Sequence, residues 1–462
     1  MDNSVVKIKL VEIFGEQRVF DSDLDRFSYS YDGSFIPLLP ASKPDFIVKA
    51  STVEQISNLM KYANEISIPV IPRGTGTGRT GGAIPINGGI VLCMDEMKQI
   101  IELDEGNMII TVEPGVRTQD LYDYCAQRGL FYPPDPASLK CSTIGGNIAE
   151  NAGGARAVKY GVTSNYVMGL EIVLPNGSVI KTGGKAIKNV TGYNLTQLFV
   201  GSEGTLGIIT KALLRLIALP KYTKTAQATF SSIDNACNAV GECIKSGVVP
   251  AAAEIMDQVS IQAVARFRKF DIDPSVEAAI IFEVDGETEE NVIRQADVLK
   301  RICEDYGCVT FKTAANQQEA NELWSLRRAM GPAIAAIAPN KIGEDISVPR
   351  HQLPDVVKRL REISRKNDIK LAIFGHAGDG NLHPSYLTDL SIPGESEKME
   401  KAVEETFQAA LDVGGTLSGE HGIGITKKPF ITKALGEEHI EALRWVKYAF
   451  DPKNILNPGK IF

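Results

Sequence analysis

The sequence lacks the features that mark membrane proteins and nucleic-acid-binding proteins. Its longest apolar runs fall far short of the ~20 residues that a membrane-spanning helix requires. Its first residues, 1–4, are acidic rather than basic and are not followed by the apolar pattern of a signal peptide. Lysine and arginine (49) are outnumbered by aspartate and glutamate (57), which gives a formal net charge of −8. We therefore expect no membrane span and no nucleic-acid partner.

Cysteine is sparse and unpaired. The seven cysteines are scattered, without a Cys-x-x-Cys pair. An odd number without regular spacing is typical of a reducing compartment, so we predict a cytoplasmic protein. The same pattern predicts that the chain carries no iron–sulfur cluster of its own. The length of 462 residues is enough for two or three domains.

Glycine, by contrast, is concentrated between Gly74 and Gly82, where five of nine residues are glycine. Such a run is unfavourable in a helix or a core strand, but it suits a backbone that approaches a ligand closely. Two arginines and three threonines within residues 72–82 are typical of a site for a phosphate-bearing ligand. The apolar residues 68–71 predict a buried strand that leads into the loop. A flexible surface loop is the alternative.

The same loop imitates the dinucleotide-binding fingerprint. Gly76, Gly78 and Gly81 match G-x-G-x-x-G, but that motif needs a helix directly after it, so that a pyrophosphate meets the helix N-terminus. Pro85 and two glycines shortly after it prevent such a helix, and an apolar strand follows at residues 89–94. The Gly-Lys-Ser/Thr ending of a Walker A loop is also absent. We therefore predict a strand–loop–strand phosphate cradle.

Three further glycine-punctuated segments lie in the first half of the chain, at residues 142–154, 160–162 and 201–210. Four such segments indicate an extended ligand, larger than a mononucleotide, that lies across one domain. Tight packing of a helix on a sheet is the alternative for residues 142–154. Long stretches after residue 215 are nearly free of glycine, which predicts a domain boundary near Leu219.

The second half alternates strand-like and helix-like segments from residue 221 to residue 415, which predicts an antiparallel sheet with helices. Within this part, Asp379 and Gly380 predict a two-residue hairpin turn. That turn would place His376 directly opposite His383 on one face, with Cβ atoms roughly 5 Å apart. Two imidazoles so placed can chelate one divalent metal; a hydrogen-bonded structural pair is the alternative.

A second group of polar residues includes a candidate base and a candidate anion-binding residue. Glu420 lies in a glycine-flanked turn and is a candidate third metal ligand, with a capping or surface role as the alternative. The adjacent His421 would then be free to act as a base. Arg327 and Arg328 are neighbours on a predicted helix, where successive residues point about 100° apart, so only one need bind a substrate carboxylate. A solvated helix face is the alternative for both.

These motifs in combination resemble the vanillyl-alcohol-oxidase/p-cresol-methylhydroxylase (PCMH) superfamily of flavoproteins. The resemblance is carried by residues 72–82, 143–154 and 201–210 in the first half, and it extends from about residue 44 to the C-terminus. Within the superfamily, the chain is most similar to the branch of FAD-linked D-lactate dehydrogenases and glycolate oxidases.

The resemblance implies an α+β fold in three parts. Residues 1–220 would form a PCMH-type FAD-binding domain. Residues 221–415 would form a cap domain, built on an antiparallel sheet, that binds the substrate. Residues 416–462 would return to the FAD-binding domain and complete the active site.

By this resemblance the cofactor is FAD. The residues implied in binding it are Pro72, Arg73, Gly74, Thr75, Gly76, Thr77, Gly78, Gly81, Gly82, Pro136, Thr143, Gly145, Gly146, Asn151, Gly153, Gly154, Gly161, Ile209 and, in the closing motif, Asn457. Many members of the superfamily attach FAD covalently to a histidine in or near the first loop. All five histidines here lie at residue 351 or later, so we expect non-covalent FAD.

The resemblance also implies roles for residues of the second half. The implied ligands of a divalent metal ion (iron, zinc or manganese) are His376, His383 and Glu420. His421 would act in catalysis, and Arg327 would bind the substrate carboxylate, with Arg328 left open as the alternative. Related enzymes often have a nearby lysine that also binds the substrate carboxylate. Lys341 is close to that position in the sequence but is offset from it.

The implied activity is the FAD-dependent oxidation of a 2-hydroxy acid, with D-lactate as the first candidate and glycolate and 2-hydroxyglutarate as alternatives. Without a cluster motif or a membrane span, the electrons would pass to an external acceptor. We expect an electron-transfer flavoprotein, with an iron–sulfur subunit or a quinone as alternatives. The rival interpretations are an oxidase that uses oxygen and a non-catalytic flavin-binding relay subunit.

Overall fold

The computed structural model describes residues 2–35, 42–269 and 271–462. The chain divides into two compact units. The first unit comprises Met1–Gly153, Val162–Leu219 and Glu420–Phe462, and the second comprises Gly154–Gly161 and Pro220–Gly419. The functional domain limits expected from the sequence, at 220/221 and 415/416, stay a prediction, since compactness alone does not define a functional domain.

The helices and strands alternate along most of the chain. The strands of the first unit are β1 Val19–Phe20, β2 Phe46–Lys49, β3 Val70–Arg73, β4 Ile90–Cys93, β5 Ile100–Asp104, β6 Ile109–Val112, β7 Leu130–Phe131, β8 Val167–Val173, β9 Val179–Gly183, β10 Ile208–Arg215 and β11 Ile217–Ala218. The strands of the second unit are β12 Tyr222–Phe230, β13 Ala252–Asp257, β14 Ala278–Gly286, β15 Cys308–Thr313, β16 Asn340–Gly343, β17 Ile346–Ser347, β18 Lys370–His376 and β19 Asn381–Thr388. The helices are α1 Asn3–Phe14, α2 Asp23–Ser28, α3 Val53–Ile66, α4 Thr118–Ala126, α5 Ile144–Glu150, α6 Ala157–Tyr160, α7 Leu195–Phe199, α8 Ile233–Lys245, α9 Gln258–Arg268, α10 Glu289–Asp305, α11 Gln317–Arg328, α12 Met330–Ala335, α13 Leu353–Asn367, α14 Glu395–Asp412, α15 Ile431–Leu435 and α16 Glu437–Phe450.

One sheet of the first unit is built around a β-α-β unit. Its strand order is β1-β2-β4-β3, and β2, β4 and β3 run parallel. The connecting helix α3 begins where Thr52 Oγ1 accepts a hydrogen bond from Gln55 N (3.3 Å), while Ser51 N donates to Gln55 Oε1 (2.9 Å). β2, α3 and β3 therefore form a β-α-β unit, and β4 lies between its two strands.

The other large sheet of the first unit is antiparallel. Its strand order is β5-β6-β10-β8-β9. β8 and β9 form a hairpin, with Val173 opposite Val179 and a turn in which Gly177 N donates to Leu174 O (2.8 Å). This sheet carries Ile208 and Ile209 at the start of β10, next to the glycine segment at 201–207.

The second unit is built on one eight-stranded sheet. Its order is β15-β12-β14-β13-β18-β19-β16, and β17 also pairs with β19. Every strand pair of this sheet is antiparallel, which confirms the predicted sheet type. Residues 154–161 belong to the second unit because Tyr160 OH donates to Asp285 Oδ2 (2.6 Å) and Lys159 forms an ion pair with the same carboxylate.

One face of this sheet carries both an apolar cluster and polar residues. Helices α9 and α12 pack there against Met256 of β13, Ile281 of β14 and Phe374 of β18. Because side chains alternate along a strand, the same face continues to Glu254 and His376, two residues from Met256 and Phe374. The apolar cluster therefore borders the polar residues that the sequence predicts to be functional.

Candidate active site

The glycine loop of the first unit is a strand–loop–strand element, as the sequence predicts. It joins β3 to β4, and residues 74–89, all of which the structure describes, contain no helix. Gly76 (φ +72°) and Gly81 (φ +85°) take left-handed conformations that favour glycine. An added Cβ at Gly74 would lie 2.5 Å from Thr143 Oγ1, so a close approach to α5 also requires glycine.

This loop forms one wall of a cavity of about 420 Å³ that lies within the first unit. The predicted FAD-binding residues that line it are Pro72, Arg73, Gly74, Thr75, Gly76, Thr77, Gly78, Gly82, Pro136, Thr143, Gly145, Gly146 and Ile209. The structure therefore brings three of the glycine-rich segments together around one space. Lining residues that the sequence analysis did not select include Met94, Asn147, Glu150, Ser202 and Glu203.

Other predicted FAD-binding residues are not part of the cavity wall; they are Gly81, Asn151, Gly153, Asn457, Gly154 and Gly161. The last two belong to the second unit. Asn457 is buried, and its Nδ2 donates to the carbonyls of Gly82 (2.9 Å) and Glu203 (2.8 Å), so it ties two wall segments together. Asn151 ends α5 in a left-handed conformation, and its Oδ1 accepts from Ser164 N (2.8 Å). A contact of these residues with FAD stays a prediction.

Glu420 and His421 line the same cavity. Thr80 Oγ1 donates to the backbone carbonyl of His421 (3.1 Å). The backbone N–H groups of residues 423–424 donate to the two carboxylate oxygens of Glu203, each at 2.7 Å. The candidate base His421 is therefore fixed beside the glycine loop by hydrogen bonds at its own carbonyl group and at the N–H groups of residues 423–424.

Glu150 and Glu203 form a pair of carboxylates at this wall. An added Cβ at Gly422 would meet both of them, so both approach the same point of the backbone. Burial, the charge of Glu203 and the charge of Asp32 raise the pKa of Glu150 well above its ordinary value. Burial also raises the pKa of Glu203, while the N–H groups of residues 423–424 act in the opposite direction. Glu150 is therefore the member of the pair that holds a proton more readily.

The predicted hairpin of the second unit exists, but its predicted register is wrong. Residues 377–380 connect β18 to β19, in place of a two-residue turn. His376 lies opposite Asn381, and His383 lies opposite Phe374. The pairing differs from the prediction by two residues, an even number, so the two histidines still share a face as diagonal neighbours. Their ring centroids are 5.1 Å apart, at an interplanar angle of 89°.

Contacts to neighbouring strands explain the wider turn. Gly378 N donates to Ala253 O on β13 (3.3 Å), so the chain follows β13 beyond His376 before it turns. Gly380 takes a left-handed conformation (φ +86°), and an added Cβ there would clash with the carbonyl of Val348. The Asp-Gly pair is therefore part of a longer turn that is fixed from outside the hairpin.

A buried carboxylate that the sequence analysis did not select joins two of the predicted site residues. Glu254 Oε1 accepts a hydrogen bond from His376 Nδ1 (2.5 Å), and Glu254 Oε2 accepts one from Arg327 Nε (2.6 Å). Burial opposes the charged form of Glu254, but the interactions with His376 and Arg327 outweigh it and lower the pKa of Glu254. The signal in the sequence is a lone acid within the otherwise apolar residues 251–256.

Of the two candidate arginines, Arg327 faces the histidines. Its guanidinium carbon lies 5.0 Å from the ring centroid of Phe374, which is on the same face of β18 as the first histidine. Arg328 Nη2 instead donates to Asn321 O of its own helix (3.4 Å). Lys341 Nζ lies 5.6 Å from the centroid of the Phe374 ring. Arg327 and Lys341 are therefore two cations beside Phe374 on this face of the sheet.

His383 has an acidic neighbour of its own. Asp345 is fully buried, and its Oδ1 lies 3.8 Å from His383 Nδ1. Asp345 accepts hydrogen bonds from Asn381 Nδ2 (2.6 Å), Ser418 Oγ (2.8 Å) and Gly419 N (2.9 Å). These bonds fix the last residues of the second unit beside the histidine-bearing hairpin.

Comparison with known proteins gives the family. Residues 44–183 match the FAD binding domain family, and residues 219–461 match the family described as FAD linked oxidases, C-terminal domain. The chain is 44% identical over 457 residues to glycolate oxidase subunit GlcD of Bacillus subtilis, with 99% of this chain and 96% of that protein covered. The chain belongs to the FAD-linked oxidase family.

This FAD-linked oxidase is also 32% identical over 463 residues to D-lactate dehydrogenase of Anaerostipes hadrus, with 98% of this chain and 97% of that protein covered. Among solved structures, it aligns with p-cresol methylhydroxylase with a TM-score of 0.82 at 19% identity, covering 99% of this chain and 96% of that chain. That likeness shows a shared fold. The predicted α+β fold, with a PCMH-type FAD-binding domain and an antiparallel-sheet domain, is therefore confirmed, and the protein is an FAD-linked oxidoreductase.

The cavity residues fit FAD. Its wall comes from separate segments, which suits an extended ligand, and the wall residues Gly74, Gly76 and Gly78 have no side chain that would fill the cavity. Residues 72–82 and 136–154 contain no histidine, and non-covalent attachment stays a prediction. Among the helices of residues 2–35, 42–269 and 271–462, none is both long and apolar enough to cross a membrane.

The histidines of the second unit fit a divalent metal ion. His376 donates a hydrogen bond from Nδ1 to Glu254. A histidine oriented by such a bond typically binds a metal through Nε2. His383 lies on the same face at a ring distance that allows two imidazoles to share one ion. The donor set is therefore of the borderline type that binds iron, zinc or manganese.

Proposed function

We propose that this protein oxidises a 2-hydroxy acid with FAD as the oxidant and that D-lactate, converted to pyruvate, is its substrate. The observation that carries the proposal is the shared face of the second unit on which Arg327 and the two histidines flank Glu254. A guanidinium beside metal-binding side chains suits a small acid with both a carboxylate and a hydroxyl group. The name of the Anaerostipes hadrus relative, D-lactate dehydrogenase, supports the same substrate.

Each proposed step is assigned to side chains of this chain. Arg327 binds the substrate carboxylate through its terminal nitrogens. His421, at the wall of the cavity, accepts the hydroxyl proton as the carbon–hydrogen bond at Cα breaks. The proposed metal ligands are His376, His383 and Glu420. When bound, the metal supplies a Lewis acid that lowers the pKa of the hydroxyl, and FAD supplies the hydride acceptor.

Glycolate is the second candidate substrate. It is favoured by the identity of 44% to the glycolate oxidase subunit of Bacillus subtilis and of 33% to that of Escherichia coli, in each case over at least 99% of this chain. 2-Hydroxyglutarate, a larger acid with a second carboxylate, remains an alternative that kinetics can separate from both.

We propose an external electron acceptor, an electron-transfer flavoprotein in the first instance, with an iron–sulfur subunit or a quinone as alternatives. Two relatives are named as a subunit, which supports an acceptor carried by a partner chain. A cytoplasmic location is part of the same proposal and follows from the unpaired cysteines of the sequence.

Steady-state kinetics with an artificial electron acceptor test the proposed reaction. The purified FAD-loaded protein is assayed with D-lactate, glycolate and D-2-hydroxyglutarate, with L-lactate as the stereochemical control. We expect the highest kcat/KM with D-lactate. A higher value with glycolate moves the assignment to the second candidate, and no turnover with any of the acids contradicts the proposal in favour of a non-catalytic relay subunit. Rapid peroxide formation in air would instead indicate an oxidase.

A further inference from the structure

Glu254 is placed to hold two side chains at once. It lies on β13, opposite Ile281 of β14 and His376 of β18, and its side chain is 1% exposed. Its Oε1 accepts from His376 Nδ1 (2.5 Å) and its Oε2 accepts from Arg327 Nε (2.6 Å). A carboxylate buried to this degree is unfavourable unless it is paired and hydrogen-bonded. Each of the two carboxylate oxygens therefore has one partner in this position.

We infer that Glu254 is a positioning residue that links metal binding to substrate binding. It selects the nitrogen of His376 that meets the metal, and it orients Arg327 toward the substrate carboxylate. This role rests on the proposed oxidation of a 2-hydroxy acid, but the geometry of the three side chains lies wholly within the second unit.

On the histidine side, the hydrogen bond determines which ring nitrogen carries the proton. Because a carboxylate only accepts, His376 donates from Nδ1, so Nε2 is the nitrogen that would bind a metal ion. The nearly perpendicular ring of His383, 5.1 Å away between centroids, lies beside it. Without Glu254, His376 would be free to place its proton on either nitrogen.

On the arginine side, the hydrogen bond uses Nε and leaves the two terminal Nη groups for another carboxylate. The Phe374 ring, 5.0 Å from the guanidinium carbon of Arg327, gives the group a second contact. The side chain of Arg327 is 14% exposed, so its orientation is largely determined by these neighbours. A planar guanidinium fixed in this way can bind a small carboxylate in a bidentate manner.

A glutamine at position 254 cannot replace the glutamate, although it has the same shape. A carboxylate accepts two hydrogen bonds with two oxygens, whereas an amide has one accepting oxygen and one donating nitrogen. Glu254→Gln would therefore place a donor against either His376 Nδ1–H or Arg327 Nε–H. Glu254→Asp keeps both acceptors but is shorter by one methylene group, so it should recover part of the function.

Zinc affinity is the first test, with Zn²⁺ alone as the probe and a coloured chelator as the competitor. We expect Glu254→Gln to lower zinc affinity by about 10–100-fold and to raise the KM for the hydroxy acid, with Glu254→Asp between this variant and the wild type. The matched control is Glu283→Gln, because Glu283 is a largely buried acid on the neighbouring strand that accepts from Trp324 Nε1 (2.9 Å) and does not bond to the histidines. Equal zinc affinity in Glu254→Gln and the control would overturn the inference.

Nitrogen-15 NMR of labelled histidine is the second test, and five histidines give few signals. In the zinc-loaded wild type we expect His376 to carry a proton on Nδ1 and the metal on Nε2. His376→Gln assigns the signal. Metal on Nδ1 of His376 contradicts the inference, and this measurement decides the matter even if the variants of Glu254 do not fold.

The two proposals fail in different ways. If the wild type oxidises no 2-hydroxy acid, the proposed function is wrong, but zinc affinity and the histidine spectrum still report on Glu254. If the wild type oxidises the acid while Glu254→Gln keeps its zinc affinity, its KM and the His376 spectrum, the positioning role is wrong and the function stands.

Discussion

At the scale of single residues, two neighbouring acids of the first unit have different surroundings. Glu203 accepts backbone hydrogen bonds from residues 423–424, at 2.7 Å each. Glu150 Oε2 is buried and, among the described residues, has no hydrogen-bond partner. Burial raises the pKa of both acids, but the backbone hydrogen bonds offset part of this effect at Glu203, although both acids lie at the same cavity wall.

Glu150→Gln should make the FAD-free protein more stable at high pH. Because the pKa of Glu150 is raised in the folded state, its contribution to stability is present below its ordinary pKa and is lost as the pH rises through the raised value. The wild type loses about 1.4 kcal/mol of its free energy of unfolding for each unit by which the pKa of Glu150 is raised, and the variant does not. Thermal unfolding between about pH 5 and pH 8 should show an advantage for the variant that grows with pH.

Glu203→Gln is the matched control and should have the opposite effect. The variant keeps one oxygen and places a donating NH2 group where the other oxygen was, so one of the two N–H groups at 423–424 loses its partner. We expect a loss of about 1–3 kcal/mol in the free energy of unfolding. Equal stability of Glu150→Gln and the wild type across the pH range would contradict the account of this pair.

At the scale of secondary-structure elements, the histidine hairpin depends on one glycine. Gly380 and Gly394 have nearly the same left-handed conformation, with φ of +86° and +88°. An added Cβ at Gly380 would clash with the carbonyl of Val348, whereas at Gly394 it would meet nothing within 4 Å. Alanine would therefore strain the backbone at both positions, but only at Gly380 would it also clash with a neighbouring residue.

Gly380→Ala should destabilise the protein more than Gly394→Ala does. The strain of a left-handed alanine costs about 1–2 kcal/mol in both variants, and only Gly380→Ala also has to move Val348 and the hairpin. Chemical unfolding should therefore show a larger loss for Gly380→Ala, and its zinc affinity should fall as well. Similar losses in both variants would mean that the hairpin does not depend on this contact.

Local sequence patterns predicted secondary-structure elements well, but they did not predict contacts with residues that are distant in the sequence. Pro85 and the following glycines were enough to exclude a Rossmann helix and to predict the strand–loop–strand element. The hairpin at His376 was predicted with the wrong register because Gly378 bonds to Ala253, on a strand more than 120 residues away. Glu254 was missed for a similar reason, since neither of its partners is near it in sequence.

At the scale of the whole molecule, the proposed metal and FAD depend on different residues, so they should be separable. Dialysis against a strong chelator should abolish oxidation of the hydroxy acid while the visible flavin absorbance stays, because the two histidine ligands do not line the proposed FAD cavity and Glu420 is one of many residues that do. Activity should return with iron, zinc or manganese, and the ion that restores it identifies the metal. Full activity in protein that elemental analysis shows to be metal-free would contradict the metal site.

The change in glycine content near Leu219 predicts a domain boundary, and that boundary stays a prediction. What the sequence did not indicate is that residues 154–161 belong to the second unit. Gly154 and Gly161 continue the glycine pattern of the first half, but Lys159 and Tyr160 between them bind Asp285. The glycine content of residues 154–161 is typical of the first unit. Their position is nevertheless determined by the contacts of Lys159 and Tyr160 with Asp285 of the second unit.

The central claim is that this protein transfers hydride from a 2-hydroxy acid to FAD with His421 as the base. The most direct test is rapid anaerobic mixing with D-lactate or glycolate while the flavin absorbance is followed, in the wild type, in His421→Ala and in His439→Ala, an exposed histidine on α16 that serves as the control. We expect fast bleaching in the wild type and the control and a rate lower by about 10²–10⁴-fold in His421→Ala. No bleaching of the wild type by either acid, or an undiminished rate in His421→Ala, would contradict the claim.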